Sequence, residues 1–111
     1  TCDWQDPAAA GTHVEYPQHP TRSIAELNDL LKEMRRGLPK IQCPVLLIQS
    51  HNDRVIPPES IERIDAQLGT ADKTSLWIEQ SGHVITRDLE CQRVFEAAEA
   101  FIRRVQAPTP A

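Results

Sequence analysis

Val45-Leu46-Leu47-Ile48 is a run of four apolar residues without alternation, set between Pro44 and Ser50-His51-Asn52-Asp53. A strand with one face in water alternates apolar and polar side chains. A continuous run suits a strand covered on both faces, the arrangement of parallel sheets in α/β folds. Parallel neighbours need a crossover, usually a helix. The next residues supply one: Pro57-Pro58-Glu59 opens a helix with Ile61, Ile64 and Leu68 on one face and Gly69 at its end. A second strand over 74–79 contains Leu76, Trp77 and Ile78. Strand–crossover–strand connections of this length give adjacent parallel strands, almost always right-handed. The loops that follow the two strands then open on the same carboxyl edge, where open α/β sheets place their sites.

The flanks extend the pattern. Ser23-Ile24-Ala25-Glu26 reads as a capping box, followed by Ile24, Leu27, Leu30, Leu31 and Met34 at helical spacing, with Gly37 and Pro39 as the stop. Asp88 is placed to cap a last helix whose apolar positions are Val94, Phe95, Ala98, Phe101, Ile102 and Val105. The expected division is an irregular segment over 1–22, an α/β unit over 23–105 and a frayed tail over 106–111. Two strands are too few to close a parallel sheet. Together with a start at Thr1 and a single methionine, Met34, this reads as a piece of a longer chain. The most economical missing partner is an N-terminal stretch of the same polypeptide. The isolated chain is expected to be poorly stable.

The net charge is −4, and the basic residues form only pairs, Arg35-Arg36 and Arg103-Arg104, so nucleic acid is not an expected partner. No apolar stretch approaches the ~18 residues of a membrane span. The polar start TCDWQDPAAA has no signal-peptide character. Cys2, Cys43 and Cys91 form neither a zinc pattern nor a CxxC pair, which suits reduced thiols in a cytoplasmic protein, with Cys43 and Cys91 packed. His13 and His19 are expected to be exposed, and the four histidines lack the spacing of a metal site.

Two segments carry chemistry. His51-Asn52-Asp53-Arg54-Val55-Ile56-Pro57-Pro58 resembles the acid loop of α/β-hydrolases. Trp77-Ile78-Glu79-Gln80-Ser81-Gly82-His83-Val84-Ile85-Thr86-Arg87-Asp88 resembles the histidine loop of their bacterial carboxylesterase and monoacylglycerol lipase branch, the serine aminopeptidase-like hydrolases. The resemblance runs over 23–105, and residues 1–22 resemble the end of the lid segment inserted before this region. It implies the C-terminal portion of an α/β-hydrolase fold, a small-molecule ester substrate and no cofactor or metal. Serine ester hydrolysis needs an imidazole that moves the hydroxyl proton and an acceptor on its other nitrogen that fixes its tautomer. His83 fits the base and Asp53 the acceptor. Their order along the chain matches the order nucleophile, acid, histidine of this fold class, which puts the nucleophile before residue 1.

None of the five serines, Ser23, Ser50, Ser60, Ser75 and Ser81, stands in Gly-x-Ser-x-Gly. Ser81 shares the loop of His83 and lacks an elbow. Cys91 reads as a partly packed thiol, His51 as a structural residue of the acid loop, and Trp77 as core. Val84 and Ile85 either line the acyl pocket or simply pack. Trp4 and Tyr16 belong either to a substrate cover or to surface packing. The rivals to an ester hydrolase are a non-catalytic α/β fragment or interaction domain without a nucleophile, and a small flavodoxin-like binding domain. The latter would call for a Gly-rich anion loop that this chain lacks.

Overall fold

A computed structural model describes residues 3–107. Its elements are α1 (Pro7–Thr12), α2 (Thr21–Gly37), a 3₁₀ turn (Leu38–Lys40), β1 (Val45–Ser50), α3 (Glu59–Gln67), β2 (Lys73–Ile78) and α4 (Cys91–Gln106). The two strands pair in parallel, with Val45 opposite Lys73 and Ser50 opposite Ile78. The paired ends therefore place the loops after Ser50 and after Ile78 side by side, as the crossover pattern requires.

Helix α3 packs on both strands and on the 3₁₀ turn, and α4 packs on β1. The buried apolar side chains are Ala9, Leu38, Ile61, Leu68, Ile78 and Val94. Gly69 lies against the 3₁₀ turn: its amide donates to the Leu38 carbonyl at 3.2 Å. A Cβ at this position would lie 2.0 Å from the Pro39 carbonyl oxygen, so only glycine fits. At the far end of α4, Arg104 forms a two-pronged pair with Asp72, Nη1 to Oδ2 at 3.0 Å and Nη2 to Oδ1 at 2.8 Å.

Four local expectations change. The segment 1–22 is not irregular throughout. Asp6 Oδ1 accepts from the Ala8 amide at 2.9 Å, Pro7 takes the first helical position, and Ala8-Ala9-Ala10 continue α1. The capping box at Ser23 does not form, because α2 starts at Thr21 and the Ile24 amide already donates to the Pro20 carbonyl at 3.3 Å. Ser23 thus lies inside the first turn, and Glu26 instead faces Arg22 at 3.7 Å. Cys43 is exposed rather than packed, and Cys91 is half-buried. Trp77 is half-buried rather than core, with the His51 ring stacked on it at 4.0 Å between centroids and 10° between planes.

The strand read as covered on both faces is only half-covered: Val45 through Gln49 are of intermediate exposure and Ser50 alone is buried. Helix α2 buries no residue, and Ile24, Leu27 and Leu30 are more than half exposed. The radius of gyration is 16.3 Å, where a compact chain of this length would measure about 13 Å.

Candidate active site

The acid loop leaves β1 at Ser50. Ser50 Oγ donates to the Ser81 carbonyl and accepts from the Asn52 amide at 3.0 Å, tying the first turn of one loop to the other. Asn52 Nδ2 donates to the Glu79 carbonyl, and His51 Nδ1 lies 2.7 Å from Glu79 Oε1. Asp53 is buried at the head of this turn. Its Oδ1 accepts from the Val55 and Ile56 amides, both at 2.8 Å, an Asx-type arrangement that fixes the plane of the carboxylate. Its Oδ2 is left to face His83 Nδ1 at 2.9 Å.

The histidine loop leaves β2 at Ile78 and is shaped by buried polar groups. Ser81 is fully buried, and its Oγ accepts from the Glu90 amide at 3.1 Å. This places Ser81 in the scaffold and away from a nucleophile's role. Glu90 Oε2 accepts from the Glu79 amide at 2.8 Å and from the Gln80 amide.

Asp88 does not cap α4, which has Glu90 at its N-cap position. Its carboxylate instead accepts four backbone amides. Those of Asp6 at 2.7 Å and Leu89 at 2.9 Å reach Oδ1; those of Gly82 at 2.8 Å and Gln5 at 3.0 Å reach Oδ2. Burial pushes the Asp88 carboxyl up, but these amides outweigh it and hold it below its ordinary range.

Asp3 was not singled out by any motif, yet it touches both loops. Its Oδ1 accepts from the His83 amide at 2.8 Å and its Oδ2 from the Arg54 amide at 2.6 Å. Burial raises its carboxyl, and the two amides, with the neighbouring imidazole, bring it below its ordinary range. Gly82 is required here by space. A Cβ would lie 2.2 Å from the Asp3 carbonyl oxygen. The glycine of Ser-Gly-His thus admits the N-terminal segment against the loop. No sequence signal announces Asp3; Asp88 was visible as a capping candidate but with the wrong partners.

A carboxylate acceptor at Nδ1 favours, in the neutral ring, the tautomer with the proton on Nδ1 and the lone pair on Nε2. The His83 side chain is 38% exposed and that of Asp53 only 6%, so the carboxylate is sheltered while the imidazole faces outward. This arrangement can accept a proton at Nε2 and stabilise the resulting imidazolium through Asp53. Val84 and Ile85, half-buried, follow directly; neither lines the surface depressions at Val14, Glu15 and Tyr16 or at His19, Ser23, Ile24 and Leu27. Trp4 packs against the His13 ring at 5.0 Å, with the Arg87 guanidinium 5.9 Å from its centre, while Tyr16 is exposed. His13 is half-buried by this packing and His19 is exposed. Among the described residues no cluster of His, Cys, Asp and Glu is arranged to hold a metal, and no helix is long and apolar enough to cross a membrane.

Residues 8–90 match the family model described as serine aminopeptidase, S33. The chain is 32% identical over 91 residues to a carboxylesterase of Bacillus subtilis (strain 168), covering 82% of this chain and 37% of that protein. It is 28% identical over 91 residues to a thermostable monoacylglycerol lipase of Bacillus sp. (strain H-257), covering 82% and 36%. A solved chain from the work on LipS and LipT, two metagenome-derived lipolytic enzymes, superposes with a TM-score of 0.61 at 41% identity, over 63% of this chain and 29% of that one. The chain spans somewhat over a third of the length of the curated relatives it matches.

Proposed function

We propose that this chain, which belongs to the serine aminopeptidase S33 family and carries part of an α/β-hydrolase fold, supplies the acid and the base of a serine ester-hydrolase site. His83 is the general base and acid, and Asp53 orients it. The observation that carries the reading is the 2.9 Å contact between Asp53 Oδ2 and His83 Nδ1, with Asp53 Oδ1 already committed to two amides. In this reading Nε2 takes the proton of a serine hydroxyl as it attacks the ester carbonyl. It then returns the proton to the leaving alcohol and repeats the cycle with water. The serine and the oxyanion donors come from a Gly-x-Ser-x-Gly segment and its surroundings elsewhere in the polypeptide.

Carboxylic esters are the favoured substrates because the relatives named above are a carboxylesterase, a monoacylglycerol lipase and lipolytic enzymes. Val84 and Ile85, next to the base and half-buried, are the side chains of this chain proposed to meet the acyl group.

The test uses the polypeptide that contains both this chain and the serine elbow, with initial rates on p-nitrophenyl short-chain esters near pH 8 and circular dichroism as a control for folding. His83→Ala should remove nearly all turnover. Asp53→Asn should keep the fold and lower turnover by about 10⁴-fold, because an amide donor favours the wrong imidazole tautomer. His51→Ala, which loses only its Trp77 stack and Glu79 contact, should do far less. Wild-type rates in Asp53→Asn would remove Asp53 from the site.

A further inference from the structure

We propose that Asp3 is a positioning residue for the His83–Asp53 pair, a carboxylate clamp that holds the main chains of the base-bearing and acid-bearing loops at a fixed separation. The inference rests on the functional reading above and adds to it a residue 80 positions from the base in sequence. Three observations carry it. Asp3 divides its two oxygens between the loops: Oδ1 takes the amide of His83 itself, and Oδ2 takes the amide of Arg54, next to Asp53. Its main-chain carbonyl sits where a Cβ of residue 82 would have to go, so the segment is pressed against the turn that aims His83. The segment is also anchored independently, because Asp88 accepts the Gln5 and Asp6 amides together with that of Gly82.

The two loops are fixed in different ways without Asp3. Asp53 is oriented within its own turn by the Val55 and Ile56 amides. The loops are laced together at their roots, through Ser50 to Ser81, Asn52 to Glu79 and His51 to Glu79. Beyond these roots, the hydrogen bonds between the loops among the described residues are the side-chain pair His83–Asp53 and the bridge through Asp3. A carboxylate is suited to that bridge because it offers acceptors on both oxygens. An asparagine would present its NH₂ to one of two backbone donors. Loss of one tie lets the imidazole drift from the carboxylate, and a misplacement of about 1 Å can cost on the order of 10²-fold in rate.

The experiment is a double-mutant cycle in the polypeptide that carries the nucleophile: Asp3→Asn and Asp53→Asn, singly and together, with His83→Ala alongside. Asp3→Asn should lower kcat by about 10- to 100-fold with KM for a small ester nearly unchanged. The low-field proton signal of a His83 Nδ1–H bound to carboxylate should broaden or shift, although the protein is folded at the assay temperature. In the Asp53→Asn background, where that hydrogen bond is already lost, Asp3→Asn should cost little more, because its effect travels through the pair. Equal losses in the two backgrounds, or wild-type kcat in Asp3→Asn, would overturn the proposal. If Asp3→Asn does not fold, the same cycle with Asp3→Glu, which keeps both acceptors but displaces them by one methylene, is read by the same criterion. Activity retained in His83→Ala would instead overturn the functional reading, which separates the two failures.

Discussion

Around His83 the chain buries Ser50, Asp53, Ser81 and Asp88, whereas along α2 it leaves Ile24, Leu27, Leu30, Leu31 and Met34 exposed. Every buried side-chain nitrogen and oxygen among the described residues has a hydrogen-bond partner. The apolar stripe of α2, and Phe95, Ile102 and Val105 of α4, have no comparable complement. The contrast separates two tasks. The geometry at the loop end is set by directional bonds between polar groups already present in this chain. Cohesion of the helical flank depends on apolar area still facing water, at about 25 cal/mol per Å². Asp53 and His83 can therefore meet at 2.9 Å on a sheet of two strands that leaves most of its own surface half-covered.

The largest expected effect tests whether a correctly shaped loop end is sufficient for chemistry. The 111-residue chain alone should hydrolyse a p-nitrophenyl ester no faster than a matched imidazole control. It lacks a serine elbow, and one oxyanion donor alone is worth about 10²–10³ in rate. Turnover well above that control, abolished by His83→Ala, would mean that this chain contains a nucleophile of its own.

Next in size is a break in the polar end. Asp88→Ala removes the acceptor of four backbone amides and should destabilise the polypeptide by about 2–4 kcal/mol, read from denaturant midpoints. Ile78→Ala, at a fully buried apolar position under the same loops, should cost a similar 2–5 kcal/mol. A much smaller loss for Asp88→Ala would make the polar lattice ornamental and place stability in the apolar contacts.

The same lattice predicts an acid limb. The carboxyls of Asp3, Asp88 and Glu90 are held below their ordinary range in the fold. For such groups the unfolded state binds protons first as pH falls. Their contribution is complete above the ordinary carboxylate range and is lost as pH drops through it toward the lowered values. Melting temperature against pH should therefore be flat near neutrality and fall in acid, with a smaller fall in Asp88→Asn. An unchanged acid limb in that variant would assign the loss to other carboxylates.

The smallest effects belong to the exposed stripe. In the isolated chain Leu30→Gln should change stability by no more than about 0.5 kcal/mol, since Leu30 is 65% exposed. In the longer polypeptide the same change should cost about 1.5–3 kcal/mol if further chain covers that face. Equal, negligible effects in both would leave the α2 face in water and sharpen the division between the two regions. The isolated chain, with so little covered area, should also unfold broadly; a sharp, cooperative transition would show that the polar end alone supports a two-state fold.

Residue order alone determined the parallel pairing, the positions of β1, α3, β2 and α4 to within a few residues, and the meeting of Asp53 with His83. Each depends on a local signal, such as a continuous apolar run, a proline-led helix or a helical period, joined to a crossover rule that leaves one arrangement. The start of α2 and the helix at Pro7 depart from expectation although their signals, Pro20 and Asp6-Pro7-Ala8, are local, because neighbouring turn residues compete for the same positions. The work of Asp3 and Asp88, the need for glycine at position 82 and the stacking of His51 on Trp77 were decided only by tertiary structure. They are contacts between a side chain and groups as many as 83 positions away, and carboxylates accepting backbone amides leave no periodicity in a sequence. The half-covered strand has the opposite cause: an apolar run states what a segment requires, and only the assembled neighbours decide whether it is met.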